Sequence, residues 1–461
     1  MSSATASVAR SHRRRTAVAL VAAAAGLAAI LFLTPRRVQP RRVVGPSSPY
    51  ISARLDSSHI MRGTTETYLA IALAAPDHRV TARAPTSVAI VLDRSGSMLG
   101  QPWDDAKVSA MVLIDKLGPA DELAVVAYST SAEIVVPLGP ATGEARARAK
   151  AAISALVADG GTNISGGLNL GADELARAHT PLRRMVLISD GQANEGIYDR
   201  AGLVRLASQR AASGISITSV GVGLDFNEET MAGIAVAGRG NYHFVEKAAD
   251  LGAMFVAELG SLGETVLTHA SLRVEPAAGV EILDVIGYEL VRDGNAIQIP
   301  VADLRRGEHT KVVLRIRATV GGESVKELAS VTWTFEELGQ GARTHTAMAR
   351  AEVTGDAAVV ASSRDKDTVR LVEEARTARA LEDASAAYHD GKLDQAQQIL
   401  RVRAAEATAL AGEMGDATLG TDIGTVTSRV ERGFAAAPSA GAAEGKKAVK
   451  GGRADAYQLA R

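Results

Sequence analysis

Apolar residues follow two different rhythms along this chain, and the change falls near residue 263. Between 84 and 262 they come as short unbroken runs, at 87–92, 123–128, 133–138, 185–189 and 216–222. Such runs are too short for helices and rich in β-branched residues, so they read as buried strands. Stretches of helical periodicity separate them, at 102–117, 143–157, 164–178, 199–212, 227–236 and 249–261, with an edge strand at 242–245. In the first of these the apolar positions are Met111, Val112, Ile114 and Leu117. Strands alternating with helices predict an α/β fold, a doubly wound and mostly parallel sheet. From 266 to 353 the rhythm becomes strict alternation, at 271–274, 280–285, 296–299, 311–318, 327–335 and 346–352, with turns at Asp293-Gly294-Asn295 and Gly321-Gly322. That pattern predicts a β-sandwich. Two further strands, 51–55 and 67–74, precede the α/β region and are expected to complete the sandwich, which makes the α/β domain an insertion.

The chemistry gathers at the ends of the buried runs. Ser87-Val88-Ala89-Ile90-Val91-Leu92 leads straight into Asp93-Arg94-Ser95-Gly96-Ser97. One carboxylate and two hydroxyls are thereby delivered at the C-terminal end of a strand, where open α/β sheets bind ligands. Hard divalent cations take oxygen ligands, and a loop offering one charged and two neutral oxygens leaves such a cation able to accept a further carboxylate. By itself the D-x-S-x-S pattern also fits a polar turn. Two more segments accompany it: the glycine-rich Gly160-Gly161-Thr162-Asn163-Ile164, opening a helical stretch, and Met185-Val186-Leu187-Ile188-Ser189-Asp190-Gly191, a buried run ending in an acid. In this order the three resemble the metal-ion-dependent adhesion site of a von Willebrand factor type A domain, with the resemblance covering about 84–262. It implies that Asp93, Ser95 and Ser97 form the first ligand loop, that Thr162 supplies a second-loop hydroxyl, and that Asp190 supplies a third-loop carboxylate. It also implies Mg²⁺, or Mn²⁺ or Ca²⁺, as the cofactor. The whole arrangement is similar to bacterial relatives of calcium-activated chloride channel regulators and inter-alpha-trypsin inhibitor heavy chains.

Other chemistry finds little support. Ser95 and Ser97 have no base nearby in sequence, and their context is not a nucleophile elbow. The nine histidines lack zinc spacing, and there is no cysteine, P-loop or dinucleotide fingerprint. The 190–196 segment is similar to a calcium loop but lacks its ligand pattern. The reading is therefore a binding protein and not an enzyme. Trp103 lies a turn beyond the first loop, where it either anchors a contact at the rim or packs on the first helix.

Aromatics are only 3% of the chain and apolar residues 46%, so the cores should be aliphatic. The net charge of -1 conceals an asymmetry. Arg10, Arg13, Arg14, Arg15, Arg36, Arg37, Arg41 and Arg42 crowd the N-terminal 45 residues, which contain no acid. They flank an uncharged run at 17–33 whose end carries no small-residue cleavage site. We read 1–33 as a retained membrane anchor, or a secretion signal if it is cleaved, with the bulk of the chain exported to the periplasm or exterior. The proline-rich 34–50 is a linker. The remaining boundaries are 51–83 for the early strands, 84–262 for the α/β domain, 263–355 for the sandwich, 356–433 for a helical region and 434–461 for a tail whose small, polar composition predicts disorder. Within the helical region 386–396 resembles the turn of a tetratricopeptide repeat, although one hairpin packed on the sandwich needs no array.

The function expected is a membrane-anchored, metal-dependent binding module whose cation accepts an acidic side chain from a protein partner, with no nucleic-acid surface. Two alternatives remain. In one, the A-type domain docks on an ATPase partner in a chelatase-like complex, which favours cytosolic exposure. In the other, the metal only staples the loops of a structural scaffold.

Overall fold

A six-stranded sheet carries the α/β region. Its strands are β4 (Thr86–Asp93), β5 (Glu122–Tyr128), β6 (Ala132–Pro140), β7 (Leu182–Ser189), β8 (Ile215–Val222) and β9 (Arg239–Val245), in the spatial order β6-β5-β4-β7-β8-β9. Only β6 runs antiparallel. The computed structural model describes residues 50–77, 84–190, 192–224, 226–245, 264–437 and 439–461. Both faces of the sheet are covered. On one, Val88, Ile90 and Leu92 pack with Met98, Ala106, Leu113 and Ile114. On the other, Ala89, Val91 and Tyr128 pack with Ile164, Leu168, Leu203 and Ile234. Five helices lie in this region: α1 (Gln101–Lys116), α2 (Gly143–Ala155), α3 (Ile164–Leu175), α4 (Arg200–Ala212) and α5 (Glu228–Ala237). Their starts are set by local chemistry. Thr142, Asn163, Asp199 and Asn227 each accept a backbone N–H of the turn they open, the usual way to satisfy the free donors of a helix N-terminus. The chain leaves β4 toward β5 on one side and later returns to β7 on the other. The order thus reverses at β4, which marks the ligand-binding crevice in sheets of this kind.

The second rhythm builds two facing sheets. One has the order β1-β3-β15-β11, from β1 (Ile51–Leu55), β3 (Gly63–Ala74), β15 (His309–Val320) and β11 (Val280–Val285). The other contains β12 (Val291–Asp293), β13 (Ala296–Pro300), β10 (Thr265–Pro276), β16 (Val325–Glu337), β17 (Gly341–Thr354) and β2 (His59–Met61), with β14 (Leu304–Arg305) on β10. The early strand β3 pairs with β15 from Gly63↔Val320 to Ala74↔His309. The α/β region therefore lies, in sequence, between two strands that are neighbours in space. Leu69, Ile71, Leu272, Leu314, Val331 and Trp333 fill the space between the two sheets.

The outer face of the first sheet carries helices. Ala70, Ile286 and Val313 pack against α7 (Lys366–His389), α8 (Leu393–Met414), α9 (Ala417–Ala436) and α10 (Ala443–Leu459) through Val372, Leu381, Leu400, Phe434 and Val449. A short α6 (Ala357–Ser362) precedes them. The expected hairpin is thus two members, α7 and α8, of a larger helical group, and no tetratricopeptide array follows it among the described residues.

The expected disordered tail is corrected. Residues 443–459 form α10, which buries Val449, Lys450, Ala456 and Tyr457. Small residues let the helix approach its neighbours closely, and its few long side chains reach the α/β domain. Lys450 Nζ donates to Phe226 O at 3.0 Å and to Glu228 Oε1 at 2.9 Å. The Tyr242 amide donates to the Tyr457 hydroxyl at 3.2 Å. Composition alone carries no trace of such tertiary partners.

No helix among the described residues is long and apolar enough to cross a membrane. The expected anchor at 17–33 and the expected helix at 249–261 both lie outside the described residues.

Candidate metal centre

Asp93 is the last residue of β4 and is level with Tyr128 of β5. A strand buried on both faces can offer polar side chains only where it ends, and here the end is fully dry: the Asp93 carboxylate is buried. Two groups hold it. The Ser95 amide donates to Asp93 Oδ1 at 2.9 Å, and Ser189 Oγ, at the end of β7, donates to Asp93 Oδ2 at 2.6 Å. The first bond bends the chain back on itself, and a single 3-10 turn, Gly96–Met98, follows. In this turn Ser95 Oγ and Ser97 Oγ stand 3.1 Å apart. Met98 is buried beneath the loop while Ser97 faces solvent. The first-loop candidate ligands are thus assembled by one strand end and one turn.

The second loop is stitched to the first. The Gly96 amide donates to Gly160 O at 2.9 Å, and the Asp159 amide to Arg94 O at 2.7 Å. Arg94, the basic residue inside the motif, faces away from the carboxylate, with its guanidinium on Asp159 at 2.7 Å and Glu133 at 3.1 Å. Thr162 is buried and clipped to the third loop in both directions. Its amide donates to Asn194 Oδ1 at 2.7 Å, and its carbonyl accepts from the Asn194 and Glu195 amides at 3.1 and 3.3 Å. Gly161 is needed at this seam, since a Cβ there would lie 2.9 Å from both Asn194 Oδ1 and Glu195 Cγ. Asp190, buried directly after β7, follows the serine that holds Asp93.

The electrostatics follow from this crowding. Burial pushes the Asp93 carboxyl up to about 6, against the opposing pull of its bonds to Ser189 and Ser95, and the negative charge of Asp190 adds to the rise. The Tyr128 hydroxyl beneath the site is pushed well above its ordinary value, first by burial and next by the Asp93 charge. A carboxylate raised by burial, with a second carboxylate adding to the rise, is what a bound cation relieves.

The donor set suits a hard divalent cation, because Asp93, Ser95, Ser97, Thr162 and Asp190 offer only oxygens. Among the described residues no group of three or more His, Cys, Asp or Glu side chains is placed to hold a metal ion. A cation here would thus rely on hydroxyls beside its two carboxylates. Trp103 is resolved by the structure as a core residue, packed with Met98 and Ala106 beneath the first loop, and Lys107 Nζ lies 5.5 Å from its ring centroid.

Three contributors escape a reading of the sequence. Ser189 and Tyr128 act through cross-strand register, which a single sequence does not display. Asn194 clips the second loop to the third. The one available signal was the position of Ser189, next to Asp190 at a strand end.

Residues 87–256 match the von Willebrand factor type A domain. The uncharacterized protein YfbK of Escherichia coli is 27% identical over 56% of this chain and 46% of its own. The uncharacterized protein sll0103 of Synechocystis is 33% identical over 46% of this chain and 50% of its own. An inter-alpha-trypsin inhibitor heavy chain of Bos taurus is 25% identical over 54% of this chain and 28% of its own. The chain thus spans about half the length, or less, of these curated relatives. Among solved structures, the von Willebrand factor type A protein from Catenulispora acidiphila has a TM-score of 0.64 at 22% identity, covering 84% of this chain and 91% of that one. The ArnB paralog VWA2 from Sulfolobus acidocaldarius has a TM-score of 0.59 at 15% identity, covering 89% and 98%. Both are likenesses of fold. With the strand order, the reversal at β4 and the family match in agreement, residues 87–256 are a von Willebrand factor type A domain.

Proposed function

We propose that this chain is a membrane-anchored, metal-dependent protein-binding module. Asp93, Ser95, Ser97, Thr162 and Asp190 hold Mg²⁺, or Mn²⁺ or Ca²⁺ in its place, and the cation accepts a carboxylate from a partner protein. The observation that carries this reading is the seam of three loops around a buried carboxylate: Asp93 gripped by Ser95 and Ser189, with Asp190 beside it and no basic side chain of its own motif turned inward. When bound, the ion would supply a positive centre whose five protein oxygens leave one position of an octahedral sphere open to a further oxygen. The residues themselves do the positioning. Ser97 is exposed on the first loop, and Arg94 ties that loop to the second through Asp159 and to β6 through Glu133.

The 17–33 run serves as the anchor, and the A-type domain faces the periplasm or exterior. A reporter fused after Arg461 is expected to behave as exported, and the full-length protein to remain with membranes. Full-length protein recovered from the cytosolic fraction contradicts that placement. For the site, calorimetry on the full-length protein in lipid nanodiscs is expected to show Mg²⁺ binding that Asp93→Ala abolishes. Equal affinity in the two proteins removes the reading.

A further inference from the structure

The three most exposed large apolar side chains among the described residues are Val157 at 69%, Tyr198 at 67% and Leu99 at 64%; the next, Val291, is 54% exposed. Single exposed apolar residues are ordinary on any surface. These three stand out because each belongs to a different loop of the candidate metal centre. Leu99 closes the first-loop turn, its amide donating to Gly96 O at 3.3 Å. Val157 enters the second loop and is tied to the first by a 3.4 Å bond from the Arg94 guanidinium to its carbonyl. Tyr198 leaves the third loop next to Ile197, whose amide donates to Ser165 Oγ at 2.9 Å, at the start of the helix that follows Thr162. Ile197 is itself 40% exposed. The loops that carry the ligand oxygens therefore also carry an apolar side chain apiece, outward-facing and unclaimed by any core.

The charges at the same edge narrow the partner. Asp104, Glu133, Asp159 and Glu195 stand among these loops against Arg94 and Lys107. Both cations are already engaged, Arg94 with Glu133 and Asp159, Lys107 with Asp104 at 3.1 Å. A densely acidic partner would meet like charge everywhere except at the cation itself.

We infer that the rim of Leu99, Val157 and Tyr198 selects a protein segment presenting one Asp or Glu flanked by apolar side chains, and disfavours a segment of clustered acids. The inference rests on the cation-to-carboxylate reading above and adds the chemistry around that carboxylate. Desolvating the flanks strengthens the central ionic contact, since charge interactions grow as water is excluded.

The test uses the full-length protein in lipid nanodiscs with Mg²⁺ and four fluorescein-labelled peptides, read by anisotropy against empty nanodiscs. The first holds a single Asp between Leu and Phe in a Ser/Lys background. The second replaces both apolar flanks by Gly, the third replaces them by Glu, and the fourth replaces the Asp by Asn. The first is expected to bind on the order of tenfold tighter than the second and third, a difference of about 1.4 kcal/mol. The triple variant Leu99→Ser, Val157→Ser, Tyr198→Ser is expected to erase that difference while keeping its Mg²⁺ affinity and melting temperature. Equal binding of the Leu/Phe and Gly peptides, or preference for the Glu-flanked one, overturns the rim and leaves the carboxylate reading standing. Equal binding of the Asp and Asn peptides overturns the carboxylate reading itself. Binding by none of the four overturns the rim.

Discussion

All eight residues of β4, Thr86 to Asp93, are buried, whereas β15 of the sandwich alternates buried and exposed positions from Leu314 to Val320. The two strands do different jobs because their sheets are covered differently. A parallel sheet with helices on both faces has no wet side, so a polar side chain inside a strand must find a partner there, as Ser219 does on Met231 O, and groups free to meet a ligand gather at the strand ends. A sandwich sheet keeps an outward face wherever no helix covers it, as β15 does from Arg315 onward. On that face Arg317 bridges Glu66 at 2.7 Å and Glu281 at 3.0 Å. Pairs of this kind lie in solvent and contribute little to stability. The A-type domain therefore gathers its candidate ligand oxygens at one edge, while the sandwich carries polar side chains along its open faces.

The sharpest way to break this division is a large cavity in the scaffold. Trp333 is fully buried between the sandwich sheets, with its ring centroid 4.4 Å from that of Phe335. Trp333→Ala is expected to cost about 3–5 kcal/mol in denaturant unfolding while leaving Mg²⁺ affinity unchanged. A parallel loss of Mg²⁺ affinity would show that scaffold and site are not separable.

The reciprocal change is Asp93→Ala. Mg²⁺ binding is expected to fall on the order of 100-fold or more, and the stabilisation given by saturating Mg²⁺, about 2.7 kcal/mol at 100 times the dissociation constant, is expected to vanish. Without metal the variant should melt no lower than the wild type, because the carboxylate it removes is held in a dry site at a raised pKa. Thermal melts with Mg²⁺ and with EDTA separate the two effects.

Smaller consequences are expected where the site meets its own core. Gly167 lies on α3, the helix opened by the second loop, and a Cβ there would sit 2.6 Å from Tyr128 Cδ1 and 2.9 Å from Val91 Cγ1. Gly167→Ala should cost about 1–3 kcal/mol through overpacking and weaken Mg²⁺ binding several-fold by lifting the second loop. Unchanged calorimetry alongside a lowered melting point would detach α3 from the site.

The smallest effect on the fold is expected from Thr162→Ala, about 1 kcal/mol or less, since the loop is held by its backbone bonds to Asn194 and Glu195. Binding of the Asp peptide should nevertheless weaken measurably. Unchanged peptide affinity with metal still bound would leave the cation as a staple of the loops.

The α/β fold and the positions of its strands could be read from the sequence because burial on both faces leaves a plain apolar signature, as at 87–92 and 216–222. The three loops could be located because oxygen-bearing residues follow such runs at once. What stayed hidden depends on neighbours distant in sequence. Ser189 reaches Asp93 across 96 positions, and Trp103 turns inward because Met98 and Ala106 surround it. The 443–459 helix was read as disorder because alanine and glycine carry no burial signature of their own. Its structure comes from Lys450 and Tyr457 meeting the A-type domain.

The pairing of β3 with β15 has a consequence for the route of folding. Ala74 must find His309, and a flexible loop spanning everything between them is slow to close. The A-type sheet lies within that loop, and its strands join through nearer connections. Once this domain has collapsed, most of the intervening chain is no longer flexible. The order of assembly is then inserted domain first, central sandwich ribbon second. Until the first step is complete, β3 has only β1 beside it and keeps one open edge, the feature most exposed to association with a second chain.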